Sequence, residues 1–380
     1  MKKGEKNLML AFYLVSSTVC CLLMSFLFVR YILFMPTGFF VKSCFFLLLM
    51  IIGCTLALLA PFFERLLGKA YPAYTFILYF LFTAAVILIC FTLFADFFWF
   101  LGKIFHLVDV SPYSAQALPV NLTLLVLALL CAIWAQYEGL KTPKIKEVII
   151  ESSKIKQERT LVLLSDLHIN RLVFPDRIKA IVEQTNLQNP DIVLLAGDIL
   201  DDDVERIRPL IFLLKDIKAK EGIFFVTGNH EFYVGYDSCV KAIKDLNFTF
   251  LENDGVCRQD LCIGGIPDVR AGKIMRKEAR PEQSFSNSPQ DRFRLLMSHT
   301  PTDFDGKDVF DLQVSGHTHG GQIFPFHFFA YLGNKYLAGL YKLPNGSKIY
   351  VSRGSGQWGP QLRFLAPSEI TVLRLRPISI

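Results

Sequence analysis

Four stretches in the N-terminal third of the chain contain no charged side chain, and each is about as long as a bilayer is thick. They are Leu8–Val29, Ser43–Phe63, Tyr74–Ala95 and Leu118–Tyr137. An α-helix needs about 20 apolar residues to cross the hydrocarbon core. The first stretch is longer than a signal-peptide core, and no small-x-small cleavage site follows it. We therefore predict four membrane helices with an uncleaved first span, and the lipid bilayer as a partner.

Charge divides the chain into two parts. Residues 1–142 hold 14 of the 74 charged residues, and residues 143–380 hold the other 60. This division predicts a transmembrane region at 1–142, a linker at 143–157 and a soluble domain at 158–376. No predicted span contains an ionisable residue, whereas transporters usually carry such residues at membrane depth. The pattern favours a membrane anchor over a conduit.

Lysine and arginine counts near the span ends predict the orientation. One side collects eight basic residues, Lys2, Lys3, Lys6, Arg65, Lys69, Lys141, Lys144 and Lys146, and the other has Arg30, Lys42 and Lys103. The N-terminus is therefore expected in the cytoplasm, and an even number of spans places the soluble domain there too. An error of one span would reverse that side. In a reducing compartment we expect Cys257 and Cys262 to be free thiols, although they could pair in an oxidising space.

Five apolar, strand-like runs in the second part stop at residues that can bind a metal. The runs lead to Asp166 and His168 ("LVLLSDLH"), Asp198 and Asp201 ("IVLLAGDILD"), Asn229 and His230 ("IFFVTGNH"), His299 ("RLLMSH"), and His317 and His319 ("LQVSGHTH"). A lone His-x-His would be a weak signal, more typical of a polar surface turn than of a metal site. Imidazole and carboxylate ligands at five strand ends predict a metal site for Mn, Fe or Zn.

Helical stretches separate the first three of these runs, at Pro175–Gln188 and Val204–Lys218. Strand–helix–strand alternation predicts an α/β sheet. Ligands of such sheets gather outside the carboxyl ends of the strands. The candidate ligands are therefore expected to meet at one edge.

This ordered set of motifs, DxH, GDxxD, GNH(D/E), H and GHxH, resembles the calcineurin-like metallophosphoesterase superfamily over about residues 158–376. The spelling "GHTHGGQ" is similar to the membrane-anchored bacterial branch, in which some members cleave UDP-2,3-diacylglucosamine. The resemblance implies a four-layer αββα sandwich and a phosphoester- or pyrophosphate-cleaving enzyme. It also implies a bacterial inner-membrane location.

The resemblance also implies two divalent ions, with Mn²⁺ expected and Fe or Zn as alternatives. The first ion would be held by Asp166, His168, Asp198 and His319, and the second by Asp198, Asn229, His299 and His317. The two ions would activate water for in-line attack on phosphorus. His230 would stabilise the phosphoryl oxygens or protonate the leaving group, and Asp201 would orient it.

An aromatic run directly after the last motif, "IFPFHFFAYLGNKYLAGLY", predicts contact with the substrate through Phe326 and Phe328. The alternative is that these aromatics belong to the core. Arg353 in "VSRGSG" is a candidate phosphate contact, or else a surface arginine at a turn. The expected substrate is a phosphorylated amphiphile, such as a lipid or a lipid-linked molecule.

Two other functions stay open: a tethered phosphodiesterase for soluble nucleotides, and a membrane scaffold whose metal site is structural. Nucleic acid is disfavoured as a partner, because residues 143–380 carry 31 basic and 29 acidic residues. Nucleic-acid-binding domains usually show a strong basic footprint. No protein partner is evident.

Overall fold

The computed structural model describes residues 3–33, 37–55, 59–304 and 309–378. The chain divides into two compact units, Met1–Gln136 and Tyr137–Ile380. The first unit is helical, and the second contains all the described strands. The division agrees with the abrupt change in charge density along the sequence.

Five helices make up the N-terminal region, the last of them ending inside the second unit. They are α1 (Lys3–Leu27, extended by a π-helical turn Phe28–Leu33), α2 (Phe39–Thr55), α3 (Ala60–Leu67), α4 (Tyr71–Ile104) and α5 (Leu118–Leu140). Among the described residues, three segments are long and apolar enough to cross a membrane, namely Leu14–Leu33, Phe62–Ile104 and Leu118–Leu140. They correspond to three of the four predicted spans.

The remaining predicted span, Ser43–Phe63, includes residues 56–58, which lie outside the described part. Its main helix, α2, has 17 residues. This helix nevertheless runs back along α1, since Cys21 contacts Cys54 (Sγ–Sγ 3.4 Å) and the rings of Phe28 and Phe46 lie 5.1 Å apart. The count of four spans stays a prediction, which this antiparallel pairing supports.

The predicted spans themselves contain no ionisable residue, but the helices that carry two of them extend to a charged pair. The helices continue past the predicted span ends and take in Arg30 and Asp96. Nη2 and Nε of Arg30 donate to Asp96 at 2.9 and 3.1 Å, and Nη1 donates to the carbonyl of Pro112 at 3.0 Å. Pairing of this kind offsets the cost of placing a charge in an apolar region. Each residue directly follows a charge-free run, so the sequence pattern placed both just outside the spans.

The second unit is built on two six-stranded sheets. The strands are β1 (Lys144–Glu151), β2 (Arg159–Leu164), β3 (Ile192–Ala196), β4 (Gly222–Val226), β5 (Thr249–Phe250), β6 (Asp254–Arg258), β7 (Leu261–Gly265), β8 (Phe293–Met297), β9 (Leu312–Ser315), β10 (Gly339–Lys342), β11 (Lys348–Val351) and β12 (Glu369–Arg376). The strand orders are β1-β12-β2-β3-β4-β5 and β10-β11-β9-β8-β7-β6. In the first sheet β2, β3 and β4 are parallel, and in the second β7, β8 and β9 are parallel.

The connections between the strands of both sheets contain helices. These are α6 (Pro175–Leu187), α7 (Val204–Phe212), α8 (Asn229–Val234), α9 (Tyr236–Lys244), α10 (Val269–Ile274), α11 (Pro281–Ser284) and α12 (Phe326–Asn334). Leu163 and Phe224 of the first sheet pack with Leu295 and Val314 of the second in a core between the sheets. Further cores lie on the outer face of each sheet. The predicted four-layer αββα architecture is therefore confirmed.

Two local predictions are corrected in this unit. Most of the predicted linker, 143–157, is the edge strand β1, which pairs with β12 in parallel from Lys144↔Glu369 to Glu151↔Arg376. It resembles a linker because most of its side chains are exposed. Cys257 and Cys262, expected as free thiols, form a disulfide with Cα atoms 4.0 Å apart. They face each other because β6 and β7 pair in antiparallel register at these residues.

Candidate metal centre

The five motifs predicted as ligand sites meet where parallel strands end. Asp166 and His168 follow β2, Asp198 and Asp201 follow β3, and Asn229 and His230 follow β4. From the second sheet, His299 follows β8, and His317 and His319 follow β9. Because the strands run in the same direction within each sheet, their carboxyl ends lie at one edge.

One group of side chains contains Asp166, His168 and His319. Their possible ligand atoms all lie within 4.8 Å of one another. The Nε2 atoms of His168 and His319 are 3.0 Å apart, and Nε2 of His319 is 3.4 Å from Oδ1 of Asp166. Asp166 and His168 are fully buried. This group contains three of the four residues predicted to hold the first ion.

A second group contains Asp198, His299 and His317, again with possible ligand atoms within 4.8 Å. Oδ2 of Asp198 lies 3.1 Å from Nε2 of His299 and 3.7 Å from Nε2 of His168. Nδ1 of His317 lies 2.9 Å from Oδ1 of Asn229. Asp198 therefore contacts both groups, as a carboxylate bridging two ions would.

The protonation of His317 and His319 suits cations. Burial, with the neighbouring charge of His299, lowers the pKa of His317 to about 4, and burial also holds the pKa of His319 well below its usual value. Both imidazoles are therefore neutral at pH 7, which metal ligation requires. Oδ2 of Asp166 and Nε2 of His299 are buried without a hydrogen bond of normal geometry among the described residues. Buried ligand atoms without a well-aligned hydrogen bond fit a binuclear metal centre.

The backbone at the ligands is held in an uncommon conformation. Asp166, His168, Asp198, His317 and His319 all have positive φ, between 46° and 71°. Such φ values are rare for residues with a side chain and tend to cluster at functional sites. Small neighbours permit this packing, because a Cβ on Gly316 would lie 2.3 Å from Oδ2 of Asp166. Replacing this glycine would force a ligand to move.

His230 and Asp201, the predicted catalytic pair, are hydrogen-bonded through Nδ1 and Oδ1 at 2.5 Å. Burial opposes protonation of His230, but the charges of Asp198 and Asp201 outweigh it and raise its pKa to about 9. Ligand atoms of His168, Asp198 and His230 also fall within 4.8 Å of one another. The assignment of His230 as an acid and not a ligand therefore stays a prediction.

Two buried charged residues that support the site have no predicted role. The carboxylate of Glu231 accepts from the backbone N–H groups of Asp198, Ile199, Leu200 and Gly228 at 2.7–3.0 Å. Glu231 stands inside the "GNHE" motif, so its position could have been identified from the sequence.

Arg363 is fully buried and donates to the carbonyls of His319 and Arg353 at 2.9 and 2.8 Å. No motif surrounds it, and only the fold reveals it.

The candidate substrate residues lie around this centre. Arg353 is half-buried, and its aliphatic part covers the turn after His319, because a Cβ on Gly320 would lie 2.9 Å from its Cγ. Phe326 and Phe328 belong to α12, which starts five residues after Gly321, and they are 43% and 63% exposed. Phe326 and Phe328 are therefore not core residues.

Tyr233 and Trp358, which the sequence did not single out, have rings 5.4 and 6.1 Å from that of His230.

Comparison with known proteins agrees with this site. Residues 159–321 match the family model described as "Calcineurin-like phosphoesterase". The chain is 39% identical over 255 residues to an uncharacterized metallophosphoesterase of Helicobacter pylori, covering 66% of this chain and 69% of that protein. It is 35% identical over 263 residues to one of Campylobacter jejuni, covering 67% and 69%.

A "transmembrane protein with metallophosphoesterase domain" of Danio rerio is 29% identical over 270 residues, covering 66% of this chain and 62% of that protein. The chain belongs to the calcineurin-like metallophosphoesterases. Membership of this family supports the conclusion that the chain is a phosphoester-hydrolysing enzyme. Its apolar helices and this relative indicate a membrane protein. The clustered Asp and His side chains give it a candidate binuclear metal site.

Proposed function

We propose that the chain is a membrane-bound, binuclear metal-dependent phosphohydrolase that cleaves a phosphoester or pyrophosphate bond in a lipid or lipid-linked substrate. The observation that carries the substrate class is the exposed aromatic surface of α12, directly after the ligands His317 and His319. A patch of exposed apolar side chains beside a catalytic site usually marks a binding surface. Burial of one Phe side chain against an acyl chain stabilises a complex by roughly 1.5–3 kcal/mol.

The residues of the site divide the chemistry among them. Asp166, His168, Asp198 and His319 would hold one ion, and Asp198, Asn229, His299 and His317 the other. When bound, the ions would supply an activated water nucleophile and neutralise charge on the phosphoryl group. We propose Mn²⁺, with Fe or Zn as the alternatives that the same nitrogen and oxygen ligands allow.

His230 and Asp201 act on the leaving group. The bond from Nδ1 to Asp201 fixes the ring and leaves Nε2 available to donate a proton to the departing oxygen. Arg353 lies beside the turn that carries His319, where its guanidinium can bind a phosphoryl oxygen. A lipid alcohol leaves more readily when its oxygen is protonated as the bond to phosphorus breaks.

We place the chain in a bacterial inner membrane with the catalytic domain on the cytoplasmic side. The count of eight basic residues against three supports this side for four helices. If α2 does not cross, the domain's side collects Lys42, Arg65, Lys69, Lys141, Lys144 and Lys146, against Lys2, Lys3, Lys6 and Lys103. With Arg30, which follows the first span on that side, the count is seven against four; it again favours the cytoplasm for the domain and moves the N-terminus to the opposite side.

The Cys257–Cys262 disulfide points the other way, because structural disulfides are rare in the cytoplasm. The two residues are only five apart in sequence, and the β6–β7 hairpin already pairs them. The fold therefore does not depend on this bond. For that reason the basic residues weigh more than the disulfide in the proposed orientation.

The test of the substrate class is the double substitution Phe326→Ser with Phe328→Ser. Hydrolysis of a lipid phosphate in mixed micelles should fall, while hydrolysis of a small soluble aryl phosphate should be unchanged. Phe212→Ser is the matched control, because Phe212 is similarly exposed, at 59%, but lies on α7. Equal losses on both substrates would mean that α12 supports the fold of the site and does not bind lipid.

A substrate screen of the full chain with Mn²⁺ separates the remaining alternatives. It should include lipid phosphates, UDP-diacylglucosamine and cyclic nucleotides. We expect the lipid-linked compounds to be cleaved most efficiently. Preference for cyclic nucleotides would replace the lipid phosphohydrolase with a tethered phosphodiesterase, and no turnover of any phosphoester would favour a structural metal site.

A further inference from the structure

The outward side of α12 is apolar, unlike that of α6 in the same domain. Phe328, Phe329 and Leu332 are 63%, 67% and 78% exposed. A surface helix of a soluble protein normally presents charged residues to solvent. On α6, for example, Asp176 and Lys179 form an exposed ion pair at 3.2 Å. The outward face of α12 is therefore suited to a partner less polar than water.

A neighbouring loop extends this apolar surface. Gln322, just before α12, exchanges two hydrogen bonds with the backbone of Trp358, at 2.8 and 3.0 Å. Ile323 bridges to Leu365. Trp358 and Leu365 are themselves 49% and 66% exposed. We call the set Phe328, Phe329, Leu332, Trp358 and Leu365 the apolar rim.

The same loop is bonded to the last turn of α5, the helix that forms the third candidate span. Nε2 of Gln357, the residue before Trp358, donates to the carbonyl of Gly139 at 3.2 Å. The buried side chain of Arg177 donates to Gly139 and Lys141 at 2.6 and 2.7 Å, and to Ser355 at 3.2 Å. The loop that carries Trp358 is thus attached where a candidate span ends. This attachment favours a bilayer surface as the apolar partner.

We infer that the apolar rim binds the interfacial layer of the membrane that anchors the chain. Trp is enriched at that depth because its ring is apolar and its N–H is polar. Since Trp358 lies beside His230, this contact sets the catalytic centre at the level of the lipid headgroups. An amphiphilic substrate then enters from the bilayer without leaving it. The inference concerns what the domain binds, so it is tested without turnover and does not require the proposed substrate to be correct.

The test uses the native fluorescence of Trp358 in the full chain. The protein has only three Trp residues, so the emission that the conservative variant Trp358→Phe loses belongs to Trp358. Both proteins are placed in lipid nanodiscs at one chain per disc, with either ordinary lipid or lipid brominated near the headgroup end of its acyl chains. We expect brominated lipid to remove most of the Trp358 emission and aqueous acrylamide to have little effect. Phe328→Ser with Leu332→Ser should reduce the quenching by lipid.

Phe212→Trp in the Trp358→Phe background is the matched control, since this position on α7 is as exposed as the rim. Its emission should be quenched by acrylamide and not by brominated lipid. If Trp358 behaves in the same way, the rim faces water and the inference is wrong. If neither quencher reaches Trp358 and shielding grows with chains per disc, a second copy covers the rim, which also overturns the inference. Neither result decides the proposed lipid phosphohydrolase activity, which is tested separately by the substrate assays.

Discussion

Oδ1 of Asp201 lies 2.5 Å from Nδ1 of His230. The other carboxylate oxygen lies 3.2 Å from Nδ1 of His168, which is a proposed metal ligand. One aspartate thus orients both the proposed acid and a metal-binding imidazole. Burial raises the pKa of Asp201, but its hydrogen bonds with His168 and His230 outweigh burial and lower the pKa to about 2, so the carboxylate stays ionised at neutral pH.

Replacing Asp201 with Asn should impair both functions at once. The amide cannot provide two negatively charged acceptors, so both imidazoles lose their fixed orientation. Removing a partner of this kind typically lowers metal affinity or activity by about 10–100-fold. Steady-state kinetics over a Mn²⁺ titration should show a lower kcat together with a higher Mn²⁺ requirement. Normal kinetics in this variant would mean that Asp201 has no positioning role.

His230→Ala should keep both metal ions but lose most of its turnover. The side chain is assigned to proton donation, and loss of a positioned acid costs about 10²–10⁴-fold in rate. Metal analysis of the purified variant, alongside kcat, checks both halves of this expectation. His327→Ala is the control histidine, because its Nε2 contacts only the carbonyl of Leu365, at 3.4 Å, among the bonds of the described residues. A fall in metal content in His230→Ala would identify His230 as a ligand.

Gly316→Ala should disrupt the centre although it adds only a methyl group. The new Cβ would lie 2.3 Å from Oδ2 of Asp166 and 2.7 Å from Cβ of Ser165. Both neighbours are fully buried, so the ligand has no room to shift without losing its geometry. Metal content and activity should fall together, whereas Gly333→Ala, with open space around its Cβ, should keep both. Equal behaviour of the two variants would show that the site tolerates rearrangement.

The ligands could be predicted from the sequence because each follows a short apolar run, and parallel strands bring such ends together. Arg363 could not, since a buried arginine that binds carbonyls leaves no local pattern. The prediction of free thiols at Cys257 and Cys262 rests on the expected compartment. Their pairing depends on strand register, which the sequence does not specify. The spans were placed by charge-free runs, so the pattern ended two of them just before Arg30 and Asp96, where the helices continue through an ion pair. The aromatic run that contains Phe326 and Phe328 shows no clear helix or strand periodicity, because nearly the whole outward surface of a short helix is aromatic.

The most direct test of the central claim is metal analysis of the purified full chain, combined with its phosphatase activity before and after chelation. The account predicts two divalent ions per chain, loss of hydrolysis of a soluble aryl phosphate in chelator, and recovery of activity with Mn²⁺. Full hydrolytic activity in metal-free protein would contradict the two-metal centre assigned to Asp166, Asp198 and their histidine partners.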